Sequence, residues 1–394
     1  MKPSKLTLRI LLVAVAVAVC LFCRTVALAK KPGGGDGANY VIVELPNVDP
    51  YSGLLTEHVS DVSADGTVYV VGANGGRACL WTVGPTLTAV AEDLGEWLHD
   101  NGLEVNSAGI IAGRRPGDYA PVLLMPNRQL VNLPGATDPR IRINNPDDSG
   151  VFQAVTGGLL WDVSVDGTVL GTTVLVDALG TTFFATDIND AGQMAGFVMQ
   201  GTSAVPAIGA FVEGELLIMT LVNPNPEVIV GFSDMEISGA GDVLGEGADP
   251  TGTNGGVYPR SVIWLADGGT VDLGVELNVR HADGTGIATV NGSVQCVGKY
   301  FRRELIAFVY AGGTYQDLQQ VSEGERSWLE IFHAGGINNA GMICGSGKVG
   351  RRRDYELQGC LLIPPLIVQS MVSAKQSGSS LFTQPKSSIS KSGP

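Results

Sequence analysis

Seven times between Asp61 and Gly345 this chain repeats one phrase: a polar turn closed by Gly, a few mostly apolar residues, then usually a second Gly. It reads Asp61-Val-Ser-Ala-Asp-Gly66 before Gly72, Asp187-Ile-Asn-Asp-Ala-Gly192 before Gly196, Glu236-Ile-Ser-Gly-Ala-Gly241, and Gly336-Ile-Asn-Asn-Ala-Gly341 before Gly345. The turn glycines 66, 109, 150, 192, 241, 292 and 341 are separated by 43, 41, 42, 49, 51 and 49 residues. A period of this size marks stacked supersecondary units, each too small to bury a core alone. An extra match, Asp162-Val-Ser-Val-Asp-Gly167, leaves the count at seven with a range of six to eight.

Each unit continues with short β-branched and aromatic runs, such as Ala78-Cys-Leu-Trp81, Ser261-Val-Ile-Trp264 and Ile306-Ala-Phe-Val-Tyr310, separated by Gly, Asn and Asp. Such runs are antiparallel strands joined by tight turns. Three or four strands per unit suit the blade of a β-propeller. A β-sandwich is the alternative, but it has no reason to repeat a turn phrase seven times. Helical periodicity is confined to one short candidate at 96–99. Tyr40-Val-Ile-Val-Glu-Leu45 resembles the closing strand of a unit, and the last unit lacks one after Pro364-Pro365, where only 366–368 could extend the sheet. The sequence therefore predicts that 40–45 complete the final blade, leaving no open edge.

The ends have other compositions. Residues 1–29 read as an export signal: Lys2, Lys5 and Arg9, an apolar run over 10–23, then Ala27-Leu28-Ala29. That run has 14 residues, short of the roughly 18 that suggest a membrane span. Residues 30–39 are a Gly-rich flexible leader, 40–368 the repeat domain, and 369–394 a Ser- and Lys-rich tail expected to be disordered. Of 25 Lys and Arg, four precede residue 30, which leaves 21 against 39 Asp and Glu and a charge of −18. This balance argues against nucleic acid. A secreted or cell-envelope monomer is expected, with Arg351-Arg352-Arg353 as a solvated loop.

The phrase resembles the HAF family of extracellular repeat proteins, whose units run Ile-Asn-x-x-Gly-x-x-x-Gly, then His-Ala-Phe-Leu-Trp, then Asp-Leu. The matches are Ile188-Asn189 through Gly196, Ile337-Asn338 through Gly345, Ala210-Phe211, Ala307-Phe308, Asp272-Leu273 and Asp317-Leu318. The histidine before Ala-Phe is replaced by Gly209 or Ile306. The resemblance implies secretion and a repeat fold rather than a defined activity.

Several stretches imitate chemical motifs. Asp61, Ser63 and Asp65, and Asp162, Ser164 and Asp166, open like calcium loops, but the later acidic ligands are replaced by Tyr69, Gly72, Leu170 and Thr173. Turn formation explains them better, and calcium is retained only as a weak candidate cofactor. Gly345-Ser-Gly-Lys-Val-Gly350 imitates a dinucleotide fingerprint without the helix that the fingerprint needs. In an exported chain Cys79 with Cys360, and Cys296 with Cys344, could form disulfides, because each pair shares a position in neighbouring units. Asn291-Gly-Ser293 is a glycosylation sequon. His58, His99, His281 and His333 show no metal-ligand spacing.

The expected function is a non-enzymatic exported propeller that binds an extracellular or cell-envelope partner. The alternatives are a hydrolase or lyase acting on carbohydrate or ester at the ring's axis, and a surface-layer component. Histidines meeting acids in one axial pocket would favour catalysis. Function is expected in the irregular segments 93–101, 249–258 and 323–333.

Overall fold

The computed structural model describes residues 40–49, 53–138, 140–222, 229–230, 235–245, 247–249, 258–279, 281–318, 322–323, 328–351 and 354–377. Seven antiparallel blades follow one another in chain order around a ring, so the chain is an all-β propeller. Blade 1 is typical, running outward from the axis through Leu54–Val59, Val68–Asn74, Arg77–Val83 and Ala89–Asp93. The innermost strands of blades 2 to 7 are Glu104–Val105, Arg142–Ile143, Phe183–Ile188, Glu236–Ile237, Ala282–Val290 and Trp328–Ile337.

The repeated turn phrase is the connection from first to second strand in each blade. The extra match at Gly167 is the hairpin between the third and fourth strands of blade 3, Leu159–Ser164 and Val169–Val174, so it adds no blade. Because successive strands alternate in direction, the phrase turns all lie on one face of the disc. The second-to-third hairpins and the connections between blades lie on the opposite face.

Tyr40–Leu45 closes the ring. It pairs antiparallel with the third strand of blade 7, Asp354–Ile363, in register Val41 with Ile363 through Leu45 with Gly359. Burial follows the two-residue period of a strand, so each blade presents one set of side chains to each neighbour. Cys79, Trp81 and Val83 face blade 7, whereas Ala78 and Leu80 face blade 2. The result is seven hydrophobic layers, one per adjacent pair of blades, including the layer between blades 7 and 1.

Layering overturns the expected disulfides, and all four described cysteines are free and buried. Cys79 and Cys344 share the layer between blades 7 and 1, Cys360 lies between blades 6 and 7, and Cys296 between blades 5 and 6. The sheet of blade 7 separates Cys79 from Cys360, and the sheets of blades 6 and 7 separate Cys296 from Cys344, which face opposite sides of their blades.

Two further expectations are corrected. Residues 96–99 form turns rather than a helix. Pro365–Ser377 is helical, so 366–368 do not extend the sheet and 369–377 are not disordered. Ile367, Val368 and Met371 are spaced three and four apart and place an apolar stripe on the layer between blades 7 and 1, where Met371 is fully buried. The expected export signal, the leader and residues 378–394 lie outside the described residues, as do Arg352 and Arg353.

The Asn of the phrase fastens the ring. Its Oδ1 accepts backbone N–H groups of its own turn, as Asn189 does from Ala191 at 3.1 Å and Gln193 at 3.0 Å. Its Nδ2 donates to the next blade: Asn106 to Asn144 O at 3.1 Å, Asn144 to Asn189 O at 3.3 Å, Asn189 to Ser238 O at 2.8 Å, and Asn338 to Ser60 O at 2.7 Å. Blade 6 replaces the wide turn with a two-residue hairpin, Asn291-Gly292, both residues at positive φ. There Thr289 takes over, donating to Ser238 Oγ at 3.0 Å and accepting from Ala240 N at 2.9 Å.

Candidate functional site

An innermost strand has a free edge facing the axis, and its N–H groups need acceptors. Side chains of the preceding blade supply them: Glu57 Oε2 accepts from Leu103 N at 2.8 Å, Glu104 Oε2 from Ile143 N at 3.3 Å and Asp187 Oδ2 from Ile237 N at 2.7 Å. The axis is therefore acidic partly for a structural reason.

The second Gly of the phrase aims these groups. A Cβ on Gly72 would lie 2.2 Å from Leu55 O, and one on Gly196 would lie 2.1 Å from Phe184 O. That close approach accompanies a register shift between Thr56 and His58 in blade 1 and between Ala185 and Asp187 in blade 4. Such bulges add one residue and re-aim the side chains that follow. They bring Glu57, His58 and Asp187 to the axis.

All seven innermost strands line one axial cavity of about 430 Å³. Its charged lining is Glu57 and Asp61 from blade 1, Glu104 from blade 2, Arg142 from blade 3, Asp187 and Asp190 from blade 4, Glu236 from blade 5 and Asp283 from blade 6. His58 and His333 also line it, with the phrase residues Asn106, Asn144, Asn145, Asn189, Asn338 and Asn339. At the phrase-turn end Asn145 Nδ2 donates to both Asp61 Oδ2 and Asp190 Oδ2 at 3.0 Å, and Asn339 Nδ2 donates to Asp61 Oδ2 at 2.8 Å. Side chains of blades 1, 3, 4 and 7 thus meet across the axis.

Burial pushes the Glu104 carboxyl well above the usual range, opposed by the Arg142 guanidinium and reinforced by Asp187 and Glu236. Asp187 is raised by the same burial, again against Arg142. Glu57 and Asp61 are raised too, chiefly by burial. Burial moves His333 the other way, down to about 4, and lowers His58 with help from Arg142. At neutral pH the axis holds neutral imidazoles beside Glu104, which resists ionisation, and Asp187, which is pushed up only to about 6 and is mostly charged.

Both imidazoles are tied to backbone. His58 Nδ1 accepts from Val105 N at 3.3 Å, which leaves its proton on Nε2, 3.9 Å from Glu104 Oε1. His333 Nε2 lies 3.1 Å from Thr56 O, and because a carbonyl only accepts, that nitrogen carries the proton.

Solved structures with similar folds include a catalytically inactive virginiamycin B lyase from Staphylococcus aureus with quinupristin, at 12% identity over 82% of this chain and 100% of that one, TM-score 0.47. The Pan2 WD40 domain of Neurospora crassa is 9% identical over 84% and 98% of the two chains, TM-score 0.46. An α-L-arabinanase from Penicillium chrysogenum complexed with arabinobiose is 10% identical over 83% and 98%, TM-score 0.39. The likeness concerns the fold alone. No family model and no curated protein matches this sequence.

The structure separates the residues of each calcium-like loop. Ser63 Oγ donates to Asp65 and to Thr67 O, and Asp65 accepts from Thr67 N at 3.0 Å, all within the turn. Asp61 instead points to the axis. In blade 3, Ser164 bonds Asp166, while Asp162 accepts from Gln153 Nε2 at 3.1 Å. Among the described residues no group of three or more His, Cys, Asp or Glu side chains is placed to hold a metal ion.

His99 and His281 lie away from the cavity wall, beside Tyr119 and Phe301. Sequence reasoning did not single out Glu57, Glu104, Arg142 or Asp283 as site residues. The second Gly of the phrase, which marks a bulge on the facing innermost strand, was the available signal for Glu57. Of the three segments, 93–101 lies on the face opposite the phrase turns, 250–257 and 324–327 are outside the described residues, and 328–333 belong to the innermost strand of blade 7, where His333 lines the cavity.

Proposed function

We propose that the axial cavity is the working site of an exported propeller, and that it binds a small, hydroxyl-rich portion of an extracellular or cell-envelope polymer. The observation that carries this reading is the convergence of all seven innermost strands on a cavity holding carboxyl, amide, imidazole and guanidinium groups. A hydroxyl both donates and accepts, so it matches such a mixed lining. The acidic wall repels anions. Pockets of this volume with a few convergent polar groups and displaced pKa values are default binding sites.

A glycan-array screen of the chain starting at Lys30 tests the reading, with Glu104→Gln as control. The amide keeps an acceptor for Ile143 N, so the fold survives while the carboxyl is removed. Saccharide binding that the variant loses supports the proposal. Absence of saccharide binding, or equal binding by both proteins, overturns it.

Meeting of His58 and His333 with acids at the axis favours a second reading, a hydrolase or lyase acting on carbohydrate or ester. The tethered imidazoles speak against either histidine's backbone-bonded nitrogen as the base. Acid chemistry would instead fall to Glu104, whose burial favours the protonated form. Release of chromophore from nitrophenyl glycosides or esters, lost in Glu104→Gln, would establish this reading over simple binding.

A further inference from the structure

The connection face carries a second feature beside the axial cavity. In blade 2 the hairpin between Ile111–Arg114 and Pro121–Leu124 places Tyr119 at φ 56°, a backbone that side chains other than glycine rarely adopt, and leaves it 51% exposed. Local contacts shape the hairpin. Arg115 bonds Asp118 through two parallel contacts, Nε to Oδ1 at 3.1 Å and Nη2 to Oδ2 at 2.9 Å, and Asp118 Oδ1 also accepts from Ala120 N at 3.1 Å. Tyr119 N donates to Arg115 O at 3.1 Å.

The Tyr119 ring packs against His99, with centroids 4.9 Å apart and planes tilted by 55°. The backbone N–H of His99 donates to Arg114 O at 2.7 Å, and Asp100 Oδ1 lies 2.9 Å from the imidazole Nδ1 without hydrogen-bond geometry. Two residues further along, Asn101 and Gly102 line the cavity. The aromatic pair thus lies against the segment that leads directly into the axial lining.

We propose that Tyr119 is the stacking platform of an outer saccharide subsite, taking the sugar ring next to the one held in the cavity. The inference rests on the axial binding reading and names the ligand as an uncharged saccharide chain. Tyrosine suits this role because it offers a large, stiff apolar face with a polar tip. The apolar C–H face of a pyranose lies flat on such a ring. A chain is required because the cavity and the ring are separate positions on one face.

Calorimetric titration with neutral β-linked disaccharides and tetrasaccharides, cellulose- and chitin-derived, tests this. Wild type is expected to bind the better tetrasaccharide about tenfold tighter than its disaccharide. Tyr119→Asn, which tolerates positive φ, is expected to lose that gain, keep the disaccharide affinity and melt within about 2 °C of wild type. Glu104→Gln should weaken both lengths. Equal tetrasaccharide affinity in wild type and Tyr119→Asn overturns the platform while the axial reading stands. Failure of wild type to bind any of the four saccharides overturns both.

Discussion

Asn338 donates from Nδ2 to Ser60 O at 2.7 Å across the seam where the last blade meets the first, while its Oδ1 accepts from Ala340 N at 3.1 Å and Met342 N at 2.9 Å. One side chain therefore shapes its own turn and joins two units that are 278 residues apart in sequence. Asn338→Ala leaves three buried or half-buried groups without partners, and it is expected to cost roughly 2–4 kcal/mol in urea unfolding. Asn127→Ala, at an exposed turn, should stay within about 0.5 kcal/mol. Equal effects would show that the ladder of asparagines does not fasten the ring.

Ring closure depends on Tyr40–Leu45, where Val43 and Leu45 are buried between blades 7 and 1. The double variant Val43→Ala with Leu45→Ala is expected to lose roughly 3–6 kcal/mol of global stability. Fluorescence of Trp161, buried in blade 3 with its indole donating to Pro134 O at 3.1 Å, should report the loss if the ring unfolds as one unit. Unfolding confined to blade 7 would contradict this.

The axis makes two opposed contributions to pH dependence. His333 is lowered to about 4 in the fold, so the unfolded chain takes up its proton first as pH falls below about 6.5. Its contribution is intact above that value and is lost as pH drops toward 4. Asp187 is raised by burial, so the fold holds its proton longer, and this stability is lost as pH rises above about 4. His333→Gln should flatten the acid side by up to about 1.4 kcal/mol per pH unit. Asp187→Asn should gain on wild type as pH rises from 4 to 7. Chemical denaturation at pH steps measures both, and identical profiles would refute the assignments.

Thiol chemistry checks the layer assignment. In the chain starting at Lys30, Cys79, Cys296, Cys344 and Cys360 should resist a thiol reagent in the native state and titrate as four thiols in denaturant. Burial raises Cys344 to about 12 and also raises Cys360, which suppresses the reactive thiolate. Reductant should leave the melting temperature unchanged. Two titratable thiols or fewer would restore a disulfide.

Blade number and closure were legible because they follow from local signals: Gly at the phrase turns, strand-length apolar runs between them, and an orphan strand at 40–45. Disulfide pairing was not, since the face of a sheet on which Cys79 or Cys360 falls depends on how the blades stack. The helix over Pro365–Ser377 was hidden by a polar composition whose apolar stripe matters only once a layer exists for Met371 to cover. Asp61 and Asp65 stand four apart in one phrase and read alike, yet one closes a turn and the other faces the axis.

The sequence by itself determined a seven-unit β ring and the turns that build it, because turn chemistry and two-residue alternation act over a few residues. Only the tertiary structure decided what lies at the centre. Bulges opposite Gly72 and Gly196, and free strand edges in need of acceptors, gather Glu57, Glu104, Arg142 and Asp187 from four blades. No short-range pattern connects residues that meet only when the ring closes.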